Sequence, residues 1–493
     1  MGKIPWSPIG VQMRIPRLLR TAGAVVTVVV VTACAAQASP DDPAQQVTPI
    51  GADVLGSYSA DDEQSRRVLQ ILQGSSRYLA GPWFDETYPA AEADAPVDLG
   101  GNKEANVRYP AMTAMTVATA LSLDVYDPKD LPVEEATGRV VSLVRALATQ
   151  HRANSSEPDA WGKQWQSALW AYYGGAAAWM VWDELAEPDR AAVVAMLTSE
   201  ADVLTSGDDM YLTADANLDR GDREKLFSNG RDGRPVEGGE AGDSKSEENS
   251  WSAALLGLNA AMLPEAPGAP GWQERNNELL VAAAARPADL AAQEPLSGIQ
   301  PSTWLQGSNI DDDGVVRNHQ LIHPIYMVAF DQSLYQGAIS ALGGKCAPKA
   351  AQHNIPLVYQ ALVDRKFDDP ASGAQKTIYT PGAPDVFYPE GNDWGSPAGF
   401  PFYFGNFDAL VSLYGLDGEA SVPASEWEAL HNEAQLAMQA RSTDGRTYLG
   451  PLEGPAAENT YKGREQRIGV MAAQTFLSVW MVRKSGGPTV CWE

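Results

Sequence analysis

Histidine and cysteine are scarce in this chain, at five and three among 493 residues. Neither type clusters at the spacing of a zinc finger or ribbon, so no metal scaffold is expected. A serine nucleophile elbow, a phosphate-binding loop and a dinucleotide glycine fingerprint are all missing, which argues against esterase, kinase and oxidoreductase chemistry. Alternating, strand-like runs are few, and no fixed repeat recurs. Basic residues are outnumbered by acidic ones, 36 to 63, for a net charge of -27. A field of that sign disfavours nucleic acid and anionic headgroups, and no nucleic-acid partner is expected. The apolar stretch from Ala22 to Val31 is shorter than the roughly 20 residues a membrane-spanning helix needs.

What the N-terminus does contain is Arg14, Arg17 and Arg20, that short apolar stretch, and small residues at its exit. This is the pattern of a secretory signal. The exit, Val31-Thr32-Ala33-Cys34, resembles a bacterial lipobox. The resemblance implies a signal peptide over residues 1–33, lipidation of Cys34, and a protein held on the outer face of the bacterial cytoplasmic membrane. An ordinary signal cut at Ala36 or Ala38, giving a secreted protein, is the alternative. Residues 34–60, rich in Ala, Asp, Gln, Ser and Pro, read as a flexible tether. Cys346 and Cys491 remain, far apart in sequence, and their pairing is left open.

From residue 61 to 493 apolar residues recur at helical spacing. Roughly twelve helical segments are expected, near 61–80, 109–123, 134–151, 162–184, 187–206, 246–263, 271–286, 323–342, 350–364, 400–415, 425–441 and 463–484. Paired into hairpins they suit an all-α fold, the (α/α)6 toroid, in which an inner ring of helices packs inside an outer one. The Ala- and Gly-rich stretch Trp170–Trp179 suits the inner ring. A solenoid is the competing architecture. Long polar connections alternate with the helices, as expected of loops that build one rim.

Four of these connections carry chemistry. Glu247-Glu248-Asn249-Ser250-Trp251 opens a helix with two carboxylates, an amide and an indole. Ser246 as a cap, with early carboxylates favouring the positive helix end, is the structural explanation. The run from Gly307 through Asp311, Asp312, Asp313, Arg317 and Asn318 to His319, His323 and Tyr326 holds two of the five histidines. Pro324 suits a first helical turn, which places His323 at the cap and brings His319, His323 and Tyr326 together. Asp311–Asp313 looks like half of a calcium loop, but it lacks the spaced ligands and terminal Glu. A turn at Asp313-Gly314 is expected instead, with no metal or other cofactor. Tyr388-Pro389-Glu390-Gly391-Asn392-Asp393-Trp394 offers flat aromatic faces beside hydroxyl-binding groups. Glu458–Glu465 leads into the last helix, and Trp83, Trp161, Trp165, Trp304 and Trp394 fall in or beside the rim loops.

On these residues the chain resembles helical-toroid polysaccharide lyases of the hyaluronate/chondroitin AC lyase type. The order Asn249-Ser250-Trp251, then Asp313-Gly314 through His319, then Tyr326 is similar to the family's sequence of motifs. The resemblance implies that Asn249 neutralises a uronate carboxylate. It also implies that His319 or Tyr326 removes the proton beside that carboxylate, and that Tyr326 protonates the leaving oxygen. The family's catalytic Arg has Arg317 and Arg365 as candidates. One Trp stands where the family has a pair, Tyr326 follows His319 more closely, and the family's β-sandwich domains have no room here. Trp251, Trp304, Arg317, Asn318, Glu390, Asn392, Asp393 and Trp394 are the expected glycan-binding residues.

Two other functions compete with a lyase acting on a polysaccharide or oligosaccharide. An inverting glycoside hydrolase on the same fold would use Glu248 as acid and Asp313 or Asp393 as base, with room for a water between them. A glycan-binding lipoprotein would keep the aromatic rim and need no proton donor.

Overall fold

The computed structural model describes residues 46–493 except 60, 91–94, 163, 206–243, 296, 302–304, 306–307, 395–399, 452–457 and 459–461. Cys34, the signal peptide, most of the tether and Trp304 therefore lie outside the described residues, as does most of the long loop after residue 205.

Helices form close to where the apolar spacing places them. They are α1 (Glu63–Tyr78), α2 (Glu104–Ser122), α3 (Val133–Thr149), α4 (Ser167–Met180), α5 (Glu187–Thr205), α6 (Ser246–Met262) and α7 (Ala269–Ala283). After these come α8 (Pro324–Met327), α9 (Asp331–Leu334), α10 (Gln336–Leu342), α11 (Ile355–Val363), α12 (Pro401–Tyr414), α13 (Ala424–Gln439) and α14 (Arg464–Arg483). Two expectations need correction. The helix expected from residue 109 starts at Glu104 and carries Pro110 inside it. The one expected over 323–342 is broken into α8, α9 and α10.

Packing arranges these helices as two concentric rings. α2 packs on α4, α4 on α6, α6 on α9 and α10, α9 on α12, α12 on α14, and α14 returns to α2. That circuit is the inner ring. Outside it α1 packs on α2 and α14, α3 on α2 and α4, α5 on α4 and α6, α7 on α6, and α13 on α12. Tyr359 of α11 meets Phe407 of α12 with ring centroids 6.3 Å apart. The fold is all-α, an (α/α)6 toroid.

Burial follows ring position. In the inner ring, α4 buries every residue from Ser167 to Trp179, and α6 buries all of its residues except Trp251. Outer α3 buries one face, through Ala136, Val140, Leu143, Val144 and Leu147. An amphipathic helix has one apolar stripe, whereas an encircled helix is apolar on every side. The glycines of α4 permit this density. A Cβ on Gly175 would stand 2.5 Å from Leu197 and 3.1 Å from Leu258.

The N-termini of the inner helices point to one end of the ring. Opposite them, the segment from Thr48 to Ser57 crosses the C-terminal ends. Thr48 donates its amide to Met262, Trp179 donates its indole N–H to the Thr48 carbonyl, and Trp480 does the same to Leu55. Cys346 and Cys491 form a disulfide there, joining the segment after α10 to the segment after α14. None of the described helices is long and apolar enough to cross a membrane.

Candidate active site

A cavity of about 270 Å³ opens at the N-terminal end of the inner ring. Every inner helix but α10 contributes a residue at or near its start: Glu104 and Arg108 from α2, Gln166 before α4, Lys245 and Glu248 at α6, Asp331 of α9, Tyr403 of α12, and Arg464 and Arg467 of α14. Unpaired backbone N–H groups give each helix N-terminus a partial positive charge, so their convergence favours an anion. Three guanidinium groups strengthen that field within a protein of charge -27.

The proton-handling groups stand on a tight hairpin. Strands β1 (Arg317–Asn318) and β2 (Leu321–Ile322) pair antiparallel, leaving only His319 and Gln320 in the turn. Both have positive φ, +51° and +66°, as a two-residue hairpin of the primed type requires. Neither is the glycine or asparagine that usually fills such a turn, so each carries roughly 1 kcal/mol of backbone strain. Neighbouring contacts hold it. Glu390 accepts from the Ile322 amide at 2.8 Å and from Arg317 at 2.9 Å. Asn318, almost fully buried, donates to Glu247 at 3.0 Å and to the Ser244 carbonyl at 3.1 Å.

Held this way, the His319 imidazole lies between two partners. Its Nδ1 is 2.7 Å from Asp393 Oδ2, and its Nε2 is 3.1 Å from the Tyr326 hydroxyl. His323, the residue before α8, places Nε2 3.0 Å from the other Asp393 oxygen. Burial pushes the His323 ring below its ordinary pKa, against the pull of Asp393. Burial would raise the Asp393 carboxyl, but its hydrogen bonds to His323 and His319 outweigh this and hold it below the usual value. Trp394 closes the group edge-on, with ring centroids 5.4 Å from Tyr326 and 6.1 Å from His323.

Beside this group sits the cationic wall. Arg464 bonds the Tyr403 hydroxyl, and its guanidinium lies 4.4 Å from the Phe400 ring centroid and 5.0 Å from that of Trp394. Gly463 ahead of it has φ +86°, and a Cβ there would stand 2.2 Å from the Tyr109 ring. Only glycine lets α14 begin so close to α2. One turn on, Arg467 buries its Nη1 without a hydrogen bond. Beneath lies Asp331, whose carboxyl is pushed up to about 6 by burial, against the opposing charge of Arg467 and the hydrogen bonds from Tyr335 and Asn406.

The cavity thus gathers Glu248, Trp251, Asn318, His319, Tyr326 and Trp394, with Asp393 and His323 directly behind His319. Other expected residues stand elsewhere. Asn249 is buried with neither polar side-chain atom bonded, and it is not among the cavity residues. Asp313 is exposed and pairs with Arg365 at 3.3 Å, so neither is placed to act in the cavity. The turn expected at Asp313 begins instead at Asp311, which accepts from the Asp313 and Val315 amides. Arg317 and Glu390 bond each other and brace the hairpin, and the Asn392 side chain accepts the Trp394 amide. Of the rim tryptophans, Trp161 is core, packed on His151 and Trp170. The residues not foreseen are Arg108, Lys245, Asp331, Tyr403 and Arg467, while Arg464 lay in a segment already singled out.

Comparison with known proteins adds little to this geometry. No protein-family model and no curated protein matches the chain. A solved structure, the crystal structure of an unsaturated glucuronyl hydrolase specific for heparin, is similar at a TM-score of 0.42 and 11% identity, covering 88% of this chain and 100% of that one.

Proposed function

We propose that this protein degrades a uronate-containing polysaccharide by β-elimination. The observation that carries the proposal is the line Asp393–His319–Tyr326, with links of 2.7 and 3.1 Å, facing a cavity ringed by helix N-termini and guanidinium groups. A proton beside a carboxylate is weakly acidic, so its removal needs the carboxylate's charge stabilised in advance. Arg464 and Arg467, with the convergent helix ends, supply that field in place of Asn249. With its Nδ1–H donated to Asp393, His319 presents an Nε2 lone pair to the Tyr326 hydroxyl. Tyr326 can then pass its proton to His319, take the substrate proton, and return one to the leaving glycosidic oxygen.

A panel of uronate polymers followed both by ultraviolet absorbance and by reducing-end assay tests this. Elimination creates a carbon–carbon double bond, so absorbance rises in step with new ends. New ends without absorbance would mean hydrolysis and overturn the lyase reading. Binding with neither signal would make the protein a glycan receptor.

A further inference from the structure

The relay to Tyr326 needs one imidazole, yet Asp393 holds two. His323 is fully buried, its Nδ1 has no partner, and its Nε2 points at Asp393. Nothing in the elimination employs it. One donor atom from each of His319, His323 and Asp393 lies within 4.8 Å of the others. Two imidazole nitrogens and a carboxylate oxygen are the donor set preferred by first-row divalent ions, zinc among them.

We propose that His319, His323 and Asp393 form a binding site for a divalent cation of the zinc class. A zinc ion sits about 2 Å from each ligand, which spaces tetrahedral ligands roughly 3.4 Å apart. The Asp393 oxygens start 2.7 and 3.0 Å from the two nitrogens, and no pair of donor atoms is more than 4.8 Å apart, so side-chain rotations that widen the close pairs and narrow the rest bring all three to that spacing. His319 and Asp393 are partly exposed, at 41% and 46%, which leaves a fourth position for water. Metal-bound histidines are held by a partner on the far nitrogen, and the Tyr326 hydroxyl provides that partner for His319. The contacts to Asp393 and Tyr326 orient the His319 ring before any ion arrives.

Occupation has a consequence that rests on the elimination reading. An imidazole has two nitrogens and, when neutral, one proton. A cation on Nδ1 of His319 moves that proton to Nε2, which then donates to Tyr326 and can no longer accept from it. The ion therefore stops the relay.

Untagged protein, titrated with cobalt(II) and followed by the visible absorbance of a tetrahedral N/O site, should take up one ion per chain. Zinc should displace the cobalt. Asp393→Asn and His323→Gln, each checked for native thermal unfolding, should weaken uptake at least tenfold. Absence of saturable uptake in the parent protein, or full uptake by both variants, overturns the site. Where the glycan assay gives turnover, zinc should reduce it in proportion to occupancy and a chelator should restore it. Turnover that rises with zinc would overturn the inhibitory consequence and leave the site standing. Where no glycan is cleaved, cobalt stoichiometry alone still decides the metal proposal.

Discussion

The two ends of the helical ring are built by opposite rules. At the N-terminal end the inner helices finish in charged and aromatic side chains around an open cavity, and the nearby hairpin stores backbone strain. At the C-terminal end a strap with one helical turn, Ala52–Leu55, lies across the helices, pinned by tryptophan N–H groups on backbone carbonyls, and a disulfide ties two further segments together. Helix C-termini carry partial negative charge, and cations answer it: Lys345 reaches the Ala260 carbonyl and Lys484 the Val54 carbonyl of the strap. One end keeps polar groups available for a ligand, and the other uses them up internally. On the proposed reading, function and stability fall to different ends.

That division predicts effects that separate cleanly. Tyr326→Phe removes one hydroxyl from the open end and should lower turnover by about 10²–10⁴-fold, with thermal unfolding almost unchanged. Cys491→Ser should do the reverse. The Cys346–Cys491 bond spans 145 residues, and its loss should cost about 2–4 kcal/mol in denaturant unfolding while leaving turnover as it was. A Cys491→Ser variant that loses activity while still folded would show that the two ends are coupled.

The buried carboxyl below the cavity sharpens the comparison, because it places a liability under the open end. Burial holds Asp331 at about 6, above its ordinary 3.8. Between those values the folded protein keeps a proton that the unfolded chain releases. The stability Asp331 contributes is therefore full below about pH 4 and is lost as pH rises through 6, by roughly 3 kcal/mol in all. Asp331→Asn titrates in neither state, so its unfolding free energy, measured from pH 4 to 7, should lack this decline. Parallel curves for the two proteins would contradict the assignment.

How much of this was legible in the sequence depended on distance along the chain. Helix positions were legible because apolar periodicity is local. His319, His323 and Tyr326 were legible as a group because eight residues contain all three. Asp393 was recognised as chemical but not as their partner, since it lies about 70 residues on and meets His319 only where neighbouring parts of the ring, α9 and α12, pack together. Asn249 shows the converse. It was singled out from the order of motifs along the chain, and its position on α6 turns the amide into the core. Arg464 and Arg467 left a signal that went unread. Cations in a first turn oppose the helix dipole, and residues placed against a local preference mark sites where something else compensates. Pro110 misled for a simple reason: proline at a helix start is common, and only burial against neighbouring helices keeps it tolerable within α2.

The smallest expected effect tests the sealed end most directly. Trp480 donates its Nε1–H to the Leu55 carbonyl at 2.7 Å, and its ring meets Tyr58 at 5.2 Å. Phenylalanine keeps most of the apolar contact and loses the donor, which should cost about 1 kcal/mol. Because that bond ties the strap to α14, the loss should appear first as faster hydrogen exchange across residues 48–57, ahead of any change in the ring. The backbone pairing of Ser57 with Ser485 should protect least well afterwards, being next to the lost anchor. Uniformly faster exchange through α14 would mean instead that the strap and the inner ring open as one unit, and that the sealed end belongs to the core it covers.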